Sequence, residues 1–406
     1  MYLEKRIILM SKKILILGAS ILQIPAICKA KDLGYVVLVA DFDPLAKGFE
    51  YADKKYVVST NDLDGILKIA KKEKIDGIMT LASDIPMKTV SYVAEQLNLV
   101  SVSTDTAMKT TNKYLMRETL ANDNISIPKY FKVDSLTHFL EVIELMDTKY
   151  IVKPTDNSGS RGIYLVEDKM DVSELKKIYR DCLTQSRSGE LLVEEYMEGP
   201  EVSVETLTIN NKTTIVAITD KLTTGSPNFV EMGHSQPTQL SENEIKDIKE
   251  ITVAAVNSVG IDNGPSHTEI ILTSSGPKIV EIGARLGGDN ITTHLVPLST
   301  GINLVEACIK ISLNDYYDIP KEKKQGSAIR YFSSKQGDIS AIKNVETALA
   351  LNGVEQIFFT KTVGEKVDYI KDSTNRIGFV ITKAENAKLA IKICEEAMKI
   401  ISIEIK

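Results

Sequence analysis

Tryptophan is missing from this 406-residue chain and cysteine is scarce, the four being Cys28, Cys182, Cys308 and Cys394 with no paired spacing among them. That scatter excludes a zinc ribbon or a CxxC redox motif, and it fits reduced, buried thiols in a cytoplasm better than a disulfide framework. No apolar run reaches the ~18 residues that a membrane-spanning helix needs, so a membrane partner is not expected. Positive charge is also short: 49 Lys and Arg stand against 55 Asp and Glu, a formal net charge of -6. Nucleic acid is therefore not expected as a partner. Two glycine signatures are absent as well. There is no Walker G-K-[ST], and the turn Gly18-Ala19-Ser20 lacks the later glycines of a dinucleotide fingerprint.

What is present implies several domains, because a chain this long exceeds one ordinary core. Residues 13–17 form an apolar strand, a helical pattern follows to Leu33, Gly34 stops it, and residues 36–40 form a second strand. A strand at 56–58, a helix at 63–72, a strand at 77–81 and a helix at 86–97 continue the alternation, which predicts a parallel, doubly wound sheet. Asp41 and Asp43 occupy the place of a ribose carboxylate in such a fold, and Gln23 and Asp84 are placed where they could line a crevice at the strand ends. A helix follows over residues 112–120. Lys113 and Arg117 share one of its faces, and taken alone they read as a solvated face.

The informative stretch runs from Ser266 to Asp289. Two β-branched runs, 268–273 and 277–282, flank Ser274-Ser275-Gly276, a three-residue loop with glycine where a left-handed residue is wanted. In that register Glu269 faces Glu281, with β-carbons about 5 Å apart, and like charges so placed are destabilising. A divalent cation would relieve them, and hard carboxylate oxygens suit magnesium. A lysine beside one glutamate is the other remedy, and a one-residue slip in register would part the two altogether. Gly283, Arg285, Gly287 and Gly288 then form a turn that lets backbone approach a ligand, with Arg285 reaching the same pocket.

Two earlier stretches fit phosphate and base recognition. Residues 149–154 form a strand ending in Lys153-Pro154, and Thr155 to Gly162 is a small-residue loop before another strand at 163–166. Eight residues exceed what a tight hairpin needs, so the loop reads as a flap whose N–H groups fold over phosphates beside the Lys153 charge. Residues 191–197 form a strand carrying Glu194 and Glu195, and Glu198-Gly199-Pro200 turns it into a second strand from Glu201. Carboxylates and strand backbone there suit a base amino group and ribose hydroxyls.

In order, Lys113 with Arg117, Val152-Lys153-Pro154, Ser158-Gly159-Ser160-Arg161-Gly162, Val193 to Glu201, and Glu269 with Glu281-Ile282-Gly283-Ala284-Arg285 resemble the ATP-grasp ligases over most of the chain. The resemblance implies an α/β and α+β architecture: a doubly wound N-terminal domain (1–109), ATP-grasp subdomains binding ATP and metal (110–320) and a C-terminal α+β lid (321–406). It implies ATP held by Lys113, Lys153, Ser158, Gly159, Ser160 and Gly162 at its phosphates, by Glu194, Glu195 and Met197 at adenine and by Glu201 at ribose. Magnesium, or manganese in its place, would sit on Glu269 and Glu281. The family commonly has Glu-x-Asn-x-Arg where this chain has Gly283, which puts a second metal in doubt. Phe229 to His234, with Ser266 to Glu269, looks most like the branch joining amino acids or similar carboxylates to amines.

The chemistry so implied is activation of a carboxylate as an acyl-phosphate and its capture by an amine, with Arg285 stabilising the charge that develops, His267 taking the amine's proton and Glu231 meeting an ammonium group. Small-molecule carboxylate and amine substrates are the expected partners, with a homodimer among the expected assemblies. The competing expectations are a bicarbonate-activating carboxylase or carbamoyl-phosphate-forming relative, an NAD(P)-dependent oxidoreductase built on the first domain, and an ATP-binding module without catalysis.

Overall fold

A computed structural model describes residues 11–146, 149–157, 161–167, 170–333 and 335–406. The first sheet contains β1 (Lys13–Leu17), β2 (Val36–Asp41), β3 (Lys54–Val57) and β4 (Gly77–Met79) in the order β3-β2-β1-β4, with every neighbour parallel. Side chains alternate along its strands, so each face builds its own core. Ile14, Ile16, Val37 and Val39 pack with helices Ile24–Asp32 and Leu304–Ser312, while Leu15, Leu17 and Leu38 pack with helices Leu63–Glu73 and Met87–Leu97. The doubly wound expectation holds, with one addition: a helix from late in the chain completes one face.

The second sheet is antiparallel, with β5 (Tyr130–Val133), β6 (Tyr150–Pro154), β7 (Tyr164–Val166) and β8 (Leu191–Glu195) in the order β5-β8-β6-β7. After β8 the chain changes sheet. Gly199 makes the passage, because a Cβ there would lie 2.0 Å from the carbonyl oxygen of Leu272. The turn expected at Glu198-Gly199-Pro200 therefore joins strands of two different sheets.

The third sheet has eight strands. In chain order they are β9 (Glu201–Ile209), β10 (Lys212–Thr223), β11 (Glu231–Gln236), β12 (Gly264–Thr273), β13 (Gly276–Gly283) and β14 (Gly326–Tyr331). Past β15 (Gly337–Lys343) come β16 (Val354–Phe359) and, past β17 (Lys366–Val367), β18 (Gly378–Ala384). The order is β13-β12-β9-β10-β11-β14-β18-β16, antiparallel throughout. The C-terminal strands thus extend the same sheet. A small sheet β17-β15-β19, closed by β19 (Ser402–Ile405), and helix Ala387–Ile400 complete that end.

In the β12–β13 hairpin the expected three-residue loop shortens to two residues, with Gly276 opening β13 at φ +109°. Glu269 pairs opposite Glu281 as predicted, and a bulge follows between Glu269 and Ile270. No single helix among the described residues is long and apolar enough to cross a membrane. The bent pair Ile291–Thr300 and Leu304–Ser312 has a suitable composition, and its Leu295, Val296, Leu304 and Ile309 lie in the core.

Candidate active site

The three sheets meet around a cleft of about 300 Å³. The first sheet contributes Asp84, from the loop after β4; the second contributes Lys153; the third contributes Lys221, Glu231, His234, His267, Glu269 and Glu281. All but Asp84 are positioned by strand alternation or by a strand end, which fixes a side chain's direction more tightly than a loop does.

The opposed carboxylates are neutralised by lysines. Lys113 Nζ donates to Glu281 at 3.0 Å and to the carbonyl oxygen of Asn157 at 2.7 Å. Lys221, on β10, reaches Glu269 at 3.0 Å, Glu201 at 2.5 Å and Glu231 at 3.7 Å, with its side chain only 4% exposed. Burial would push that ammonium down, but the three carboxylates hold it well above its usual range. Burial likewise opposes the charge on Glu269, yet Lys221 and His267 keep that carboxyl well below the usual range. The sequence reading missed Lys221, whose only signal is a lone lysine in a β-branched strand.

The solvated-face reading of Lys113 and Arg117 is overturned, because both are buried. Arg117 donates through Nε to Glu194 at 2.6 Å, and Lys153 meets the other oxygen of Glu194 at 2.5 Å. Burial pushes Glu194 up, and these two cations outweigh it, leaving the carboxyl at about 2. Glu195, on the next position of β8, turns the opposite way and pairs with Lys278 at 2.9 Å. Met197 is buried, and among the described residues Glu194, Glu195, Met197, Glu201 and Gly162 stand outside the lining of the 300 Å³ cleft. Ser158, Gly159 and Ser160 lie outside the described residues.

His267 sits between two carboxylates, with Nδ1 2.5 Å from Glu205 and Nε2 3.5 Å from Glu269. Burial favours the neutral ring, but Glu205, helped by Glu269, pushes the imidazole up to about 9. His267 lines the cleft with Glu269, so the structure brings this expected residue to the site. Arg285 grips Asp84 through Nε at 2.7 Å and Nη2 at 3.2 Å. Gln23, the other expected crevice residue, is buried and donates to the carbonyl of Leu81 at 2.9 Å. Asp41 is also committed, accepting from the backbone N–H groups of Ala19 and Asp43 at 2.7 and 3.0 Å. Asp43, the second residue expected there, is exposed and accepts from the backbone N–H of Leu45 at 2.9 Å.

The C-terminal part reaches the cleft through Ser373. Behind it Arg376 forks onto Asp289 at 2.7 Å through each Nη, donates to the carbonyl of Glu231 at 3.1 Å and stacks 3.8 Å over the ring of Tyr331. His234 Nε2 lies 3.3 Å from the same Asp289 carboxylate. No local spacing announces Arg376, 87 residues from its partner. A second cleft of about 360 Å³ shares Asp84, Lys113, Asn157 and Glu281 with the first.

Comparison with known families agrees with this architecture. A family model described as an ATP-grasp domain matches residues 146–293, and one described as L-amino acid ligase C-terminal domain 2 matches residues 330–406. The chain carries an ATP-grasp domain and has the ATP-grasp fold. An L-amino acid ligase from Bacillus licheniformis superposes on the ATP-grasp chain with a TM-score of 0.83, covering 98% of this chain and 99% of that one at 22% identity. Phosphoribosylglycinamide synthetase from Anaerococcus prevotii gives 0.78 over 98% and 100% at 21% identity. Likeness at that level is one of fold. In sequence the ATP-grasp chain is 24% identical to an uncharacterized protein of Sinorhizobium fredii over 376 residues, 90% of this chain and 76% of that one. It is 25% identical to phosphoribosylamine–glycine ligase of Methanocaldococcus jannaschii over 85% and 83% of the two chains, and 23% identical to alanine–anticapsin ligase of Bacillus subtilis over 68% and 62%.

Proposed function

We propose that this ATP-grasp protein is an ATP-dependent, ADP-forming ligase that joins a carboxylate, an amino acid or similar small acid, to an amine. The observation that carries the reading is the opposed Glu269–Glu281 pair facing Lys113, Lys153 and Arg285 across one cleft. Cations and hard oxygens so arranged suit phosphoryl transfer, where positioning and charge neutralisation do most of the catalytic work. The phosphoribosylamine–glycine and alanine–anticapsin ligases that resemble the chain, and the L-amino acid ligase C-terminal match, support the same reading.

In this reading the substrate carboxylate attacks the γ-phosphorus of ATP, the bond to the β-phosphate oxygen breaks and ADP leaves. Lys113 and Lys153 neutralise phosphate charge. Amine attack on the acyl carbon then forms the amide bond and breaks the bond to phosphate, the amine's proton passing to the departing phosphate, with Arg285 holding the oxygens that gain charge. Glu231 receives the ammonium group of an amino-acid substrate. The second cleft, sharing its wall with the first, gives the other substrate a place beside the reacting atoms. Glu269 and Glu281 present hard oxygens on one sheet face, a donor set that fits magnesium, since that ion takes one or two protein carboxylates and completes its shell with water and phosphate. Bound there, it would withdraw charge from the phosphates, and Lys113 and Lys221 would have to release their carboxylate partners.

The decisive experiment follows phosphate and ADP release from ATP across pairs of amino acids, with the product identified by mass. Amide formed in step with ADP is the expected result. ADP release that depends on bicarbonate, or nucleotide binding with no turnover for any pair, would replace the ligase reading.

A further inference from the structure

Arg285 carries five N–H donors, and three are committed within the protein. Nε–H goes to Asp84 Oδ1 at 2.7 Å, one Nη2 proton to Asp84 Oδ2 at 3.2 Å and one Nη1 proton to the carbonyl of Leu286 at 3.2 Å. One N–H remains on each terminal nitrogen. These two remaining donors suit the oxygens of a carboxylate or phosphoryl group. Asp84 decides which edge is spent, although it belongs to the loop after β4 and lies 201 residues away in the chain. Both residues line the cleft, and Asp84 lines the second cleft as well.

Residue 283 provides the room. Gly283 is not in the left-handed region, so backbone freedom does not account for the glycine. Space does: a Cβ at 283 would sit 3.1 Å from Asp84 Oδ1 and 3.3 Å from Arg285 Nε, closer than ordinary contact allows. The neighbours in its way are the two groups of the fork, and a side chain there would press on their pairing.

We infer that Asp84 is a positioning residue, holding Arg285 side-on so that its two remaining N–H donors are offered to the acyl and phosphoryl oxygens of the reacting substrate, with Gly283 leaving room for that pairing. The inference rests on the ligase reading for the identity of the substrate, but the fork itself can be tested without turnover.

The first measurement is calorimetric binding of inorganic phosphate to the ADP complex. Asp84→Asn keeps the shape and loses the charge, and it should weaken phosphate about tenfold while leaving ADP affinity within about twofold, the scale of one charged hydrogen bond. Gly283→Ala should reproduce the phosphate loss with Asp84 intact. Adding Asp84→Asn to Arg285→Lys should cost little more, because lysine has no fork to orient. The second measurement is amide formation, where Asp84→Asn should lower kcat about tenfold or more with an unchanged KM for ATP. Melting curves confirm that each variant is folded. Unchanged phosphate affinity in folded Asp84→Asn and Gly283→Ala would overturn the inference, as would full additivity with Arg285→Lys. A wild type that binds phosphate through the fork but forms no amide with any pair would instead overturn the ligase reading alone.

Discussion

Glu194 is 3% exposed, with Arg117 at 0% and Lys153 at 5% around it. Three charges in so dry a place are tolerable only together, since removing one leaves another unpaired at a cost of several kcal/mol. Glu194→Gln should therefore lower stability by about 3 kcal/mol at neutral pH, measured by denaturant unfolding. The pH dependence has a definite sign. The folded carboxyl is held at about 2, below its ordinary 4.5, so its stabilisation is complete above pH 4.5 and drains away as the pH falls toward 2. The gap between wild type and Glu194→Gln should close over that window, and a gap constant from pH 6 to 3 would show that the carboxylate is not what holds the triad. The residue types of this triad were legible in the sequence, but its geometry was not. Lys113 and Arg117 four residues apart resemble any exposed helix face, and only the partners Glu281 and Glu194, 168 and 77 residues away, turn that face inward.

At the scale of elements, the β12–β13 hairpin shows what local pattern can establish. Alternation and a glycine at the turn put Glu269 opposite Glu281, but the two-residue turn by itself would pair Glu269 with Val280, and the bulge beside Ile270 restores the expected partner. The lysines that neutralise the pair were invisible for the converse reason: they come from β10 and from helix Lys113–Asn122, and no spacing within the hairpin points to them. Glu281→Gln keeps the hairpin's shape and removes one hard oxygen charge. Magnesium should raise the melting temperature of the wild type in the presence of ADP, and this variant should lose most of that rise along with turnover at limiting magnesium; an equal rise in both would place the cation elsewhere. A control lies far from the cleft. Helix Glu242–Val259 begins with a capping box in which Ser241 and Glu244 satisfy each other's backbone N–H groups. Ser241→Ala should cost about 1 kcal/mol of stability with no change in ATP turnover.

The whole molecule is less divisible than its chain order implies. Reading along the sequence separates a C-terminal lid from what precedes it, yet β14 pairs with β11 over four residues and carries the eight-stranded sheet on into β18 and β16. Arg376 then ties this end to Asp289 beside the cleft. The terminal segment has a core of its own, with Ala328, Phe332, Val380, Ala390 and Cys394 packed together, so it is a partly independent body joined by backbone hydrogen bonds. Between helix Leu304–Ser312 and β14 the connection carries no helix or strand. Severed there, the chain would become two polypeptides, each exposing a row of unmated N–H and C=O groups complementary to the other's. Expressed alone, each piece should aggregate. Produced together with an affinity tag on only one, they should be recovered as a one-to-one pair that hydrolyses or couples ATP, so that the longest sheet of this protein would serve as the recognition surface of a split-protein reporter.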